Sequence, residues 1–135
     1  MPQSWNIYYN MYKEHIKTLA PKKVLDVGPG IGTYGSLTRE VFGRQVRIDA
    51  IEPTKDYIQR FKLDSIYDKV HNTTIQDFLY EACTIEYDIA VCGDVLEHLF
   101  LHEAISMIDC LLYRCDKVAV IWPTNLKQNS VNVDN

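Results

Sequence analysis

Residues 24–33 (VLDVGPGIGT) combine a short apolar run with glycines at every second position. The glycines are Gly28, Gly30 and Gly32, and a helical pattern begins just after them, near Tyr34. Glycine leaves the backbone amides uncovered, and the N-terminal end of a helix carries a positive partial charge. The segment therefore predicts a buried strand, a tight loop and a helix that together bind an anionic or strongly polar ligand.

Two acidic residues narrow the choice of ligand. Asp26 lies two residues before the first glycine, and Glu52 directly follows the next strand pattern, at residues 46–51. A carboxylate at the end of the second strand of such a unit can accept hydrogen bonds from both hydroxyls of a ribose. Glu52 therefore indicates a ligand that contains a ribose.

A second group of reactive side chains follows the fourth predicted strand, at residues 87–92. Asp94, Glu97 and His98 lie within one helical turn of each other, next to the carboxyl end of that strand, where open α/β sheets bind ligands. Histidine titrates near neutrality, so His98 is a candidate general base towards a hydroxyl. The alternative is that Glu97 and His98 only orient the helix and contact no substrate.

His98 and His102 are four residues apart and could place two imidazoles on one helical face as metal ligands. Beyond Asp94, no third ligand has a suitable spacing, and two surface histidines are commoner than a zinc site. We therefore predict no metal site.

The composition is that of a single globular domain. Of the 135 residues, 47% are hydrophobic and 24% are charged, which excludes wholesale disorder. The formal net charge of -4 argues against a broad nucleic-acid footprint, because phosphate binding needs clustered Lys and Arg. We therefore expect a small-molecule partner and no nucleic acid.

Cysteine usage and hydropathy indicate the compartment. The N-terminal residues lack a basic-then-apolar secretory pattern, and no apolar run approaches the roughly 20 residues that a membrane span needs. The cysteines show no CxxC or metal-finger spacing, so we predict reduced core residues and a cytoplasmic protein without a membrane segment. They are Cys83, Cys92, Cys110 and Cys115.

Alternating strand and helix patterns position these residues, and such alternation is typical of a doubly wound parallel sheet. The periodicity predicts an N-terminal helix within residues 1–20, a domain at residues 21–123, and a polar, disordered tail at residues 124–135. After the first strand, strands are predicted at residues 46–51, 69–72, 87–92 and 117–122, and helices at residues 34–42, 55–63 and 95–112. The last helix is predicted to bury Leu96, Leu99, Ile105, Ile108, Leu111 and Leu112.

The whole set of motifs resembles the class I S-adenosylmethionine-dependent methyltransferases over residues 22–123. The Asp-x-Gly-x-Gly-x-Gly motif that starts at Asp26, the acid Glu52, and CGDVLEHL at residues 92–99 carry the resemblance. It implies an α/β fold with a doubly wound, mostly parallel Rossmann-like sheet of about five strands. It also implies an enzyme, a methyltransferase whose cofactor is S-adenosylmethionine.

The resemblance assigns a role to each candidate residue. The glycine loop would hold the amino-acid moiety of the cofactor with help from Asp26, and Glu52 with Pro53 would hold the ribose. Asp77 and Phe78 would contact the adenine, and Gly93 and Asp94 would also contact the cofactor. Asp94, Glu97 and His98 would act in catalysis beside the acceptor.

Two of these assignments have structural alternatives. Asp77 could simply lie in the first turn of a helix, where negative charge is favourable, with Phe78 in the core. The N-terminal helix could pack on the edge of the sheet. As in members of the family, it could instead lie over the site, with Tyr8, Tyr9 or Tyr12 against the substrate.

The chain departs from the family pattern after the fifth strand. The family's sheet continues with a C-terminal antiparallel hairpin, for which the residues after 123 are too few. The apolar strand at residues 117–122 would then form an exposed edge. We expect either that the sequence is a fragment of a longer protein or that a second copy covers this edge in a homodimer.

Two other functions share part of the pattern. A nicotinamide-dependent oxidoreductase has the same strand, loop, helix and acid, but its fingerprint needs a glycine at the sixth position, where this chain has Thr33. A cofactor-binding or interaction module without catalysis would agree with the missing hairpin. For a methyltransferase, the absence of an Asn/Asp-Pro-Pro-aromatic turn after strand four and of a Pro-Cys nucleophile favours a small-molecule O or N acceptor.

Overall fold

A computed structural model describes residues 6–81 and 87–122, in which strands and helices alternate along the chain. The strands are β1 (Lys23–Val27), β2 (Arg47–Ile51), β3 (Lys69–His71), β4 (Tyr87–Gly93) and β5 (Cys115–Ile121). The helices are α1 (Ile7–Leu19), α2 (Thr33–Phe42), α3 (Lys55–Arg60), α4 (Ile75–Glu81) and α5 (Leu101–Arg114), with 3-10 turns at Leu63–Ser65 and Leu96–His98.

The five strands form one parallel sheet in the order β3-β2-β1-β4-β5. β1 pairs with β2 on one side and with β4 on the other, so that Val27 lies beside both Ile51 and Cys92. The direction of winding reverses at β1, because β2 and β3 are added on one side and β4 and β5 on the other. The doubly wound sheet predicted from the sequence is therefore confirmed, with all five strands parallel.

Helices cover both faces of the sheet, as a parallel sheet requires. On one face, α1 and α2 pack against Ile48 and Ile89. On the other face, α4 and α5 pack against Leu25 and Ala90. Burial of one Ile or Leu side chain contributes about 1.5–3 kcal/mol. Apolar packing thus fixes the sheet from both sides and leaves its carboxyl edge for a site.

The N-terminal helix α1 packs against α2 and also against the sheet, because Tyr12 and Ile16 share an apolar cluster with Ile121 of the edge strand β5. The hydroxyls of Tyr12 and Thr38 share a hydrogen bond at 2.7 Å, and the ring of Tyr12 lies edge-on to that of Tyr34, with centroids 4.9 Å apart. At the surface, Lys13 Nζ is 3.2 Å from Glu40 Oε2. These contacts hold α1 beside α2 on one face of the sheet.

The predicted start of the helix at residues 95–112 is wrong, because the chain is extended at Leu99 (φ −105°, ψ 151°) after the 3-10 turn. The α-helix begins only at Leu101. The amide of Phe100 donates to Glu103 Oε2 at 3.0 Å and caps this new helix. The break makes the 3-10 turn and α5 two separate elements.

α5 also buries a different face from the one predicted. Leu111 and Met107 are buried, whereas Ile105 and Leu112 are exposed, so their prediction as core residues is wrong. The segment carries apolar residues on more than one side of the helix, and periodicity alone cannot choose which side meets the sheet. Cys110 is likewise exposed on α5, contrary to its predicted core position.

The other cysteines agree with the prediction where they are described. Cys92 and Cys115 are buried and free, whereas Cys83 lies outside the described residues. The tail predicted at residues 124–135 lies outside them as well. Within residues 6–81 and 87–122, no helix has the length and apolar character needed to cross a bilayer.

A buried hydrogen bond joins the end of β1 to the segment before β3. Tyr67 Oη donates to Asp26 Oδ2 at 2.6 Å, and both side chains are almost completely buried. The backbone amide of Gly35, in the first turn of α2, also donates to Asp26. Burial raises the pKa of Asp26 to about 7, although both hydrogen bonds oppose the rise.

We expect Asp26 to make the folded chain less stable as the pH rises from about 4 to 7. The folded protein keeps a proton on Asp26, whose pKa is about 7. The unfolded chain has released that proton, because a free Asp titrates near 3.9. The free energy of unfolding should therefore fall by up to about 1.4 kcal/mol per pH unit. Asp26→Asn, which keeps an oxygen for Tyr67, should remove this part of the dependence.

Urea unfolding of the parent and of Asp26→Asn between about pH 5 and pH 7 measures this effect. Asp56→Asn is the matched control, because Asp56 is exposed on α3 and its replacement should leave the slope unchanged. An Asp26→Asn chain as sensitive to pH as the parent would contradict the expectation.

Candidate functional site

A cleft of about 360 Å³ opens at the carboxyl edge of the sheet, where β1, β2 and β4 end. This is the point at which the winding reverses, and ligands of open α/β proteins bind at such points. Three loops form its walls. The lining residues include Gly28, Pro29, Gly30, Thr33 and Tyr34 after β1, Glu52, Pro53 and Tyr57 after β2, and Gly93, Asp94, Val95 and His98 after β4.

The loop after β1 depends on its glycines for two different reasons. At Gly32 (φ 86°), an added Cβ would lie 2.6 Å from Ile66 Cδ1, so close packing excludes a side chain there. At Gly30 (φ 57°), an added Cβ would meet nothing within 4 Å, and this residue lines the cleft. Gly32 therefore shapes the loop from behind, whereas Gly30 leaves open space on the side of the cleft.

The loop is tied both to the sheet and to the next helix. The amide of Gly28 donates to Ile51 O at 3.0 Å, and the amide of Ser36 donates to Gly32 O at 2.9 Å. α2 therefore starts directly from the loop, with Thr33 and Tyr34 in the cleft wall. The positive end of this ten-residue helix favours an anionic group at this wall.

Glu52 presents a buried carboxylate to the cleft. Its exposed fraction is only 4%, and its Oε1 accepts a hydrogen bond from the amide of Thr54 at 2.8 Å. Burial raises the pKa of Glu52, although the hydrogen bonds from Thr54 oppose the rise. Asn72 Nδ2 donates to Glu52 O at 2.9 Å and to Pro53 O at 3.0 Å, which fixes the turn. The carboxylate is thus held in a fixed orientation at the end of β2.

Two aromatic residues in the cleft wall were not predicted. Tyr57, in the first turn of α3, lines the cleft on the side of Glu52 and packs edge-on against Phe61 at 5.5 Å. Tyr34 lies at the floor, where its ring packs so closely on Gly93 that an added Cβ would clash. The only sequence signal that could have identified Tyr57 is its position as an aromatic residue about one helical turn after Glu52, the acid that follows β2.

The loop after β4 brings two of the predicted catalytic residues to the cleft. Asp94 has a left-handed backbone (φ 53°), which is strained for a residue with a Cβ, and its amide donates to Ile121 O at 2.9 Å. His98 lines the same wall from the 3-10 turn. Glu97 does not line the cleft. Its Oε2 is buried and has no hydrogen-bond partner in the part of the chain that the structure describes.

Other predicted site residues lie away from the cleft lining. Asp26 is buried behind the glycine loop. Asp77 is exposed in the first turn of α4, where its backbone amide donates to Thr74 Oγ1 at 3.2 Å. Phe78 is buried in the core and packs against the ring of His71, with centroids 4.8 Å apart. The tyrosines of α1 also stay outside the lining, which is formed by later elements.

The spacing of His98 and His102 does not produce a shared helical face. His98 belongs to the 3-10 turn and His102 to α5, and the extended residue Leu99 separates the two elements. The ring of His102 stacks instead on Phe100, with centroids 6.0 Å apart. Among residues 6–81 and 87–122, no cluster of three or more His, Cys, Asp or Glu side chains could hold a metal ion.

Comparisons by sequence found no match among family models or among curated proteins. Solved structures do match the chain in fold. The plantazolicin methyltransferase BpumL in complex with SAH has a TM-score of 0.65 at 15% identity, over 77% of this chain and 41% of that one. An O-methyltransferase family protein from Burkholderia thailandensis has a TM-score of 0.63 at 16% identity, over 82% and 34%.

A third match is magnesium protoporphyrin IX methyltransferase from Synechocystis PCC 6803 with bound SAM. It has a TM-score of 0.60 at 16% identity, over 81% of this chain and 55% of that one. The chain thus spans between 34% and 55% of the length of these three proteins. Such low identity shows the fold alone. The chain therefore has the Rossmann-like fold of the S-adenosylmethionine-dependent methyltransferases, as its motifs predicted.

Proposed function

We propose that this chain binds S-adenosylmethionine and serves as a methyltransferase for a small-molecule O or N acceptor. One observation carries the proposal: the glycine loop, the N-terminus of α2 and the carboxylate of Glu52 meet in a single cleft at the reversal point of the sheet. Matched structures that contain SAH or SAM support the choice of cofactor.

The cleft fits the cofactor on the side of β1 and β2. Glu52 offers a fixed carboxylate for the ribose hydroxyls, with Pro53 beside it. The open space at Gly30 and the positive end of α2 suit the amino-acid moiety, which carries a carboxylate. Asp26 supports this loop from behind through Gly35 rather than from within the cleft. Gly32 belongs to the same support, whereas Gly28 lines the cleft.

For the adenine, the proposal keeps Asp77 and adds Tyr57. The carboxylate of Asp77 is exposed and can accept a hydrogen bond from an amino group. Phe78 is buried, so its part is to hold α4, which carries Asp77, against the sheet. Tyr57 supplies the aromatic surface that lines the cleft on the side of the ribose.

His98 and Asp94 form the wall for the acceptor. When bound, S-adenosylmethionine supplies an electrophilic methyl group on a positively charged sulfur. His98 can accept the proton that the acceptor's hydroxyl or amine releases when its lone pair forms the new bond to carbon. Asp94, held by its bond to Ile121, can orient the acceptor. Glu97 is half-buried beside His98 and would steady the 3-10 turn.

Two further features extend the proposal. The free, buried thiols of Cys92 and Cys115 support a reducing compartment such as the cytoplasm. The outer edge of β5 is the proposed contact between two copies of the chain.

Replacement of Glu52 by Ala should weaken the binding of S-adenosylhomocysteine. Loss of a charged hydrogen-bond acceptor costs roughly 1.5–3 kcal/mol. This corresponds to an increase in Kd of about 10- to 150-fold. Isothermal titration calorimetry of the parent and the variant measures the difference. Glu14→Ala is the control, because Glu14 is exposed on α1.

A parallel titration with NAD separates the alternatives. Binding of NAD without S-adenosylhomocysteine would favour an oxidoreductase and contradict the proposal. Unchanged affinity in Glu52→Ala would contradict the ribose assignment. Failure of both this chain and a longer one to bind either ligand would contradict the cofactor assignment altogether.

A methyl group at Gly30 should block the cleft without unfolding the protein. Gly30 and Gly43 both have a φ near 60° and an open Cβ direction, but only Gly30 lines the cleft. Each substitution by Ala should cost about 1 kcal/mol or more in stability, because a positive φ is unfavourable for a residue with a Cβ. Gly43→Ala should cost the larger amount, because the ψ of Gly43 is −135°, in a region that is nearly restricted to glycine. Only Gly30→Ala should also raise the Kd for S-adenosylhomocysteine, by about tenfold or more. Thermal unfolding and calorimetry test both parts, and equal affinities in the two variants would refute the assignment.

His98→Gln should separate binding from catalysis. Removal of a general base lowers rates by about 10²- to 10⁴-fold, whereas the affinity for S-adenosylhomocysteine should stay that of the parent. The measurement is S-adenosylhomocysteine release with a panel of small phenols and amines. A binding module without catalysis would bind S-adenosylhomocysteine but would form none from S-adenosylmethionine with any acceptor. Full activity of His98→Gln would exclude His98 as the base.

A further inference from the structure

Asp26 is a buried carboxyl group to which the described residues supply hydrogen-bond donors but no positive charge. Its exposed fraction is 2%. Tyr67 Oη donates to its Oδ2 at 2.6 Å, and the amide of Gly35 donates to it as well. The titratable groups that face it are Tyr12 from α1, Glu52 after β2, Tyr67 before β3 and Cys92 in β4. Three of these groups are neutral and Glu52 is an acid, so none of them balances a negative charge on Asp26.

Asp49, in β2, is the contrasting case. It is equally buried, with an exposed fraction of 2%, and it also accepts a hydrogen bond from a tyrosine, Tyr87, at 2.8 Å. In addition, Arg47 Nε lies 3.1 Å from Asp49 Oδ1, so the fold supplies a cation there. A nearby positive charge favours the charged form of a buried carboxyl group, whereas burial alone favours the protonated form. Asp26 therefore lacks the one partner that Asp49 has.

The position of Asp26 indicates where a positive charge could come from. Asp26 is the last residue but one of β1, two residues before Gly28, and Gly28 lines the cleft. Gly35, whose amide donates to Asp26, directly follows Tyr34, which lines the cleft too. The carboxyl group thus lies just behind the wall to which the proposed function assigns the cofactor.

The cofactor has the charge that this position lacks. S-adenosylmethionine carries a positive charge on its sulfur and another on its amino group. A unit charge within about 8 Å of a buried group changes the ionisation constant of that group by more than about tenfold. A bound cofactor would therefore favour the carboxylate form of Asp26.

We propose that Asp26 gives up its proton to the solvent when the positively charged cofactor binds, so that the affinity for the cofactor rises with pH. This inference rests on the proposed function. Tyr67 is the positioning residue, because its hydroxyl and the amide of Gly35 already donate to the carboxyl group and need not move when it becomes charged. Burial raises the pKa of Asp26 to about 7, so the free protein holds most of the proton below that pH.

The first test counts the protons that leave on binding. Isothermal titration calorimetry with S-adenosylmethionine, repeated in buffers of different ionisation enthalpy, gives this number. At pH 6.5 the parent should release about half a proton or more per cofactor, and its affinity should rise about three- to fivefold between pH 6 and pH 7. The amino group of the cofactor titrates near pH 8, so it stays charged throughout this range.

Three variants assign the proton to a residue. Asp26→Asn should remove both effects, because the amide has no proton to lose. Asp49→Asn is the matched control and should keep the proton count of the parent, because Asp49 already has a cation. Tyr67→Phe should move the pH at which the affinity levels off upward by about one unit, because the carboxylate loses a donor. A loss of packing alone would not move this pH. Circular dichroism checks that every variant is folded.

Two further ligands identify the charge that displaces the proton. S-adenosylhomocysteine lacks the charge on sulfur but keeps the amino group, so it should release fewer protons than S-adenosylmethionine. Adenosine keeps the ribose, which Glu52 would bind, but has neither charge, so its binding should release none from Asp26. Equal release with adenosine and with S-adenosylmethionine would assign the proton to Glu52 and overturn the proposal.

Other outcomes separate this inference from the proposed function. The same proton count in the parent and in Asp26→Asn, or an affinity of the parent that stays constant between pH 6 and pH 7, would overturn the inference alone. Absence of cofactor binding, in this chain and in a longer one, would overturn the proposed function and the inference together. If Asp26→Asn does not fold, the pH dependence of the parent and of Tyr67→Phe decides the question.

Discussion

The parallel pairing of β1 with both of its neighbours is the constraint on which the rest of the molecule depends. The register sets Val27 beside Ile51 and beside Cys92, so the three strands reach the carboxyl edge at the same height. The next residues along each strand are Gly28, Glu52 and the β4 terminus at Gly93. A slip of one residue would turn every side chain of a strand to the opposite face and would separate these groups. One pattern of backbone hydrogen bonds thus sets both the core and the cleft.

The support behind the glycine loop is polar and buried. Tyr67 and the amide of Gly35 both donate to Asp26, which connects β1, the segment before β3 and the start of α2. Burial of a carboxyl group without such donors would cost free energy of folding. With them, Asp26 holds three elements in a fixed arrangement. The adjacent close packing of Gly32 on Ile66 and of Gly35 on Tyr67 leaves the loop little freedom. The cleft wall is therefore rigid before any ligand arrives.

Most of the fold could be predicted because it is encoded locally. Apolar runs identify the strands, glycines identify the loop, and an acid directly after β2 identifies Glu52. The errors arose where long-range contacts decide. Glu103 caps α5, which therefore begins at Leu101 instead of continuing from residue 95. Hydrophobic periodicity does not reveal such a cap. The buried face of α5 is chosen by the sheet, which leaves Ile105, Leu112 and Cys110 outside. Tyr57 enters the cleft because of where α3 packs, and its own sequence neighbourhood carries only a weak signal.

The hydrogen bond from the amide of Asp94 to Ile121 O makes the two walls of the cleft mechanically unequal. The wall after β1 is anchored in the centre of the sheet, between two partner strands. The wall after β4 is anchored in part to the end of β5, the outermost strand, which has a described neighbour on one side only. Backbone at the margin of a sheet opens at a lower free-energy cost than backbone at its centre. The cleft wall after β1 is therefore held firmly, whereas the stiffness of the wall after β4 depends on what packs against the outer edge of β5.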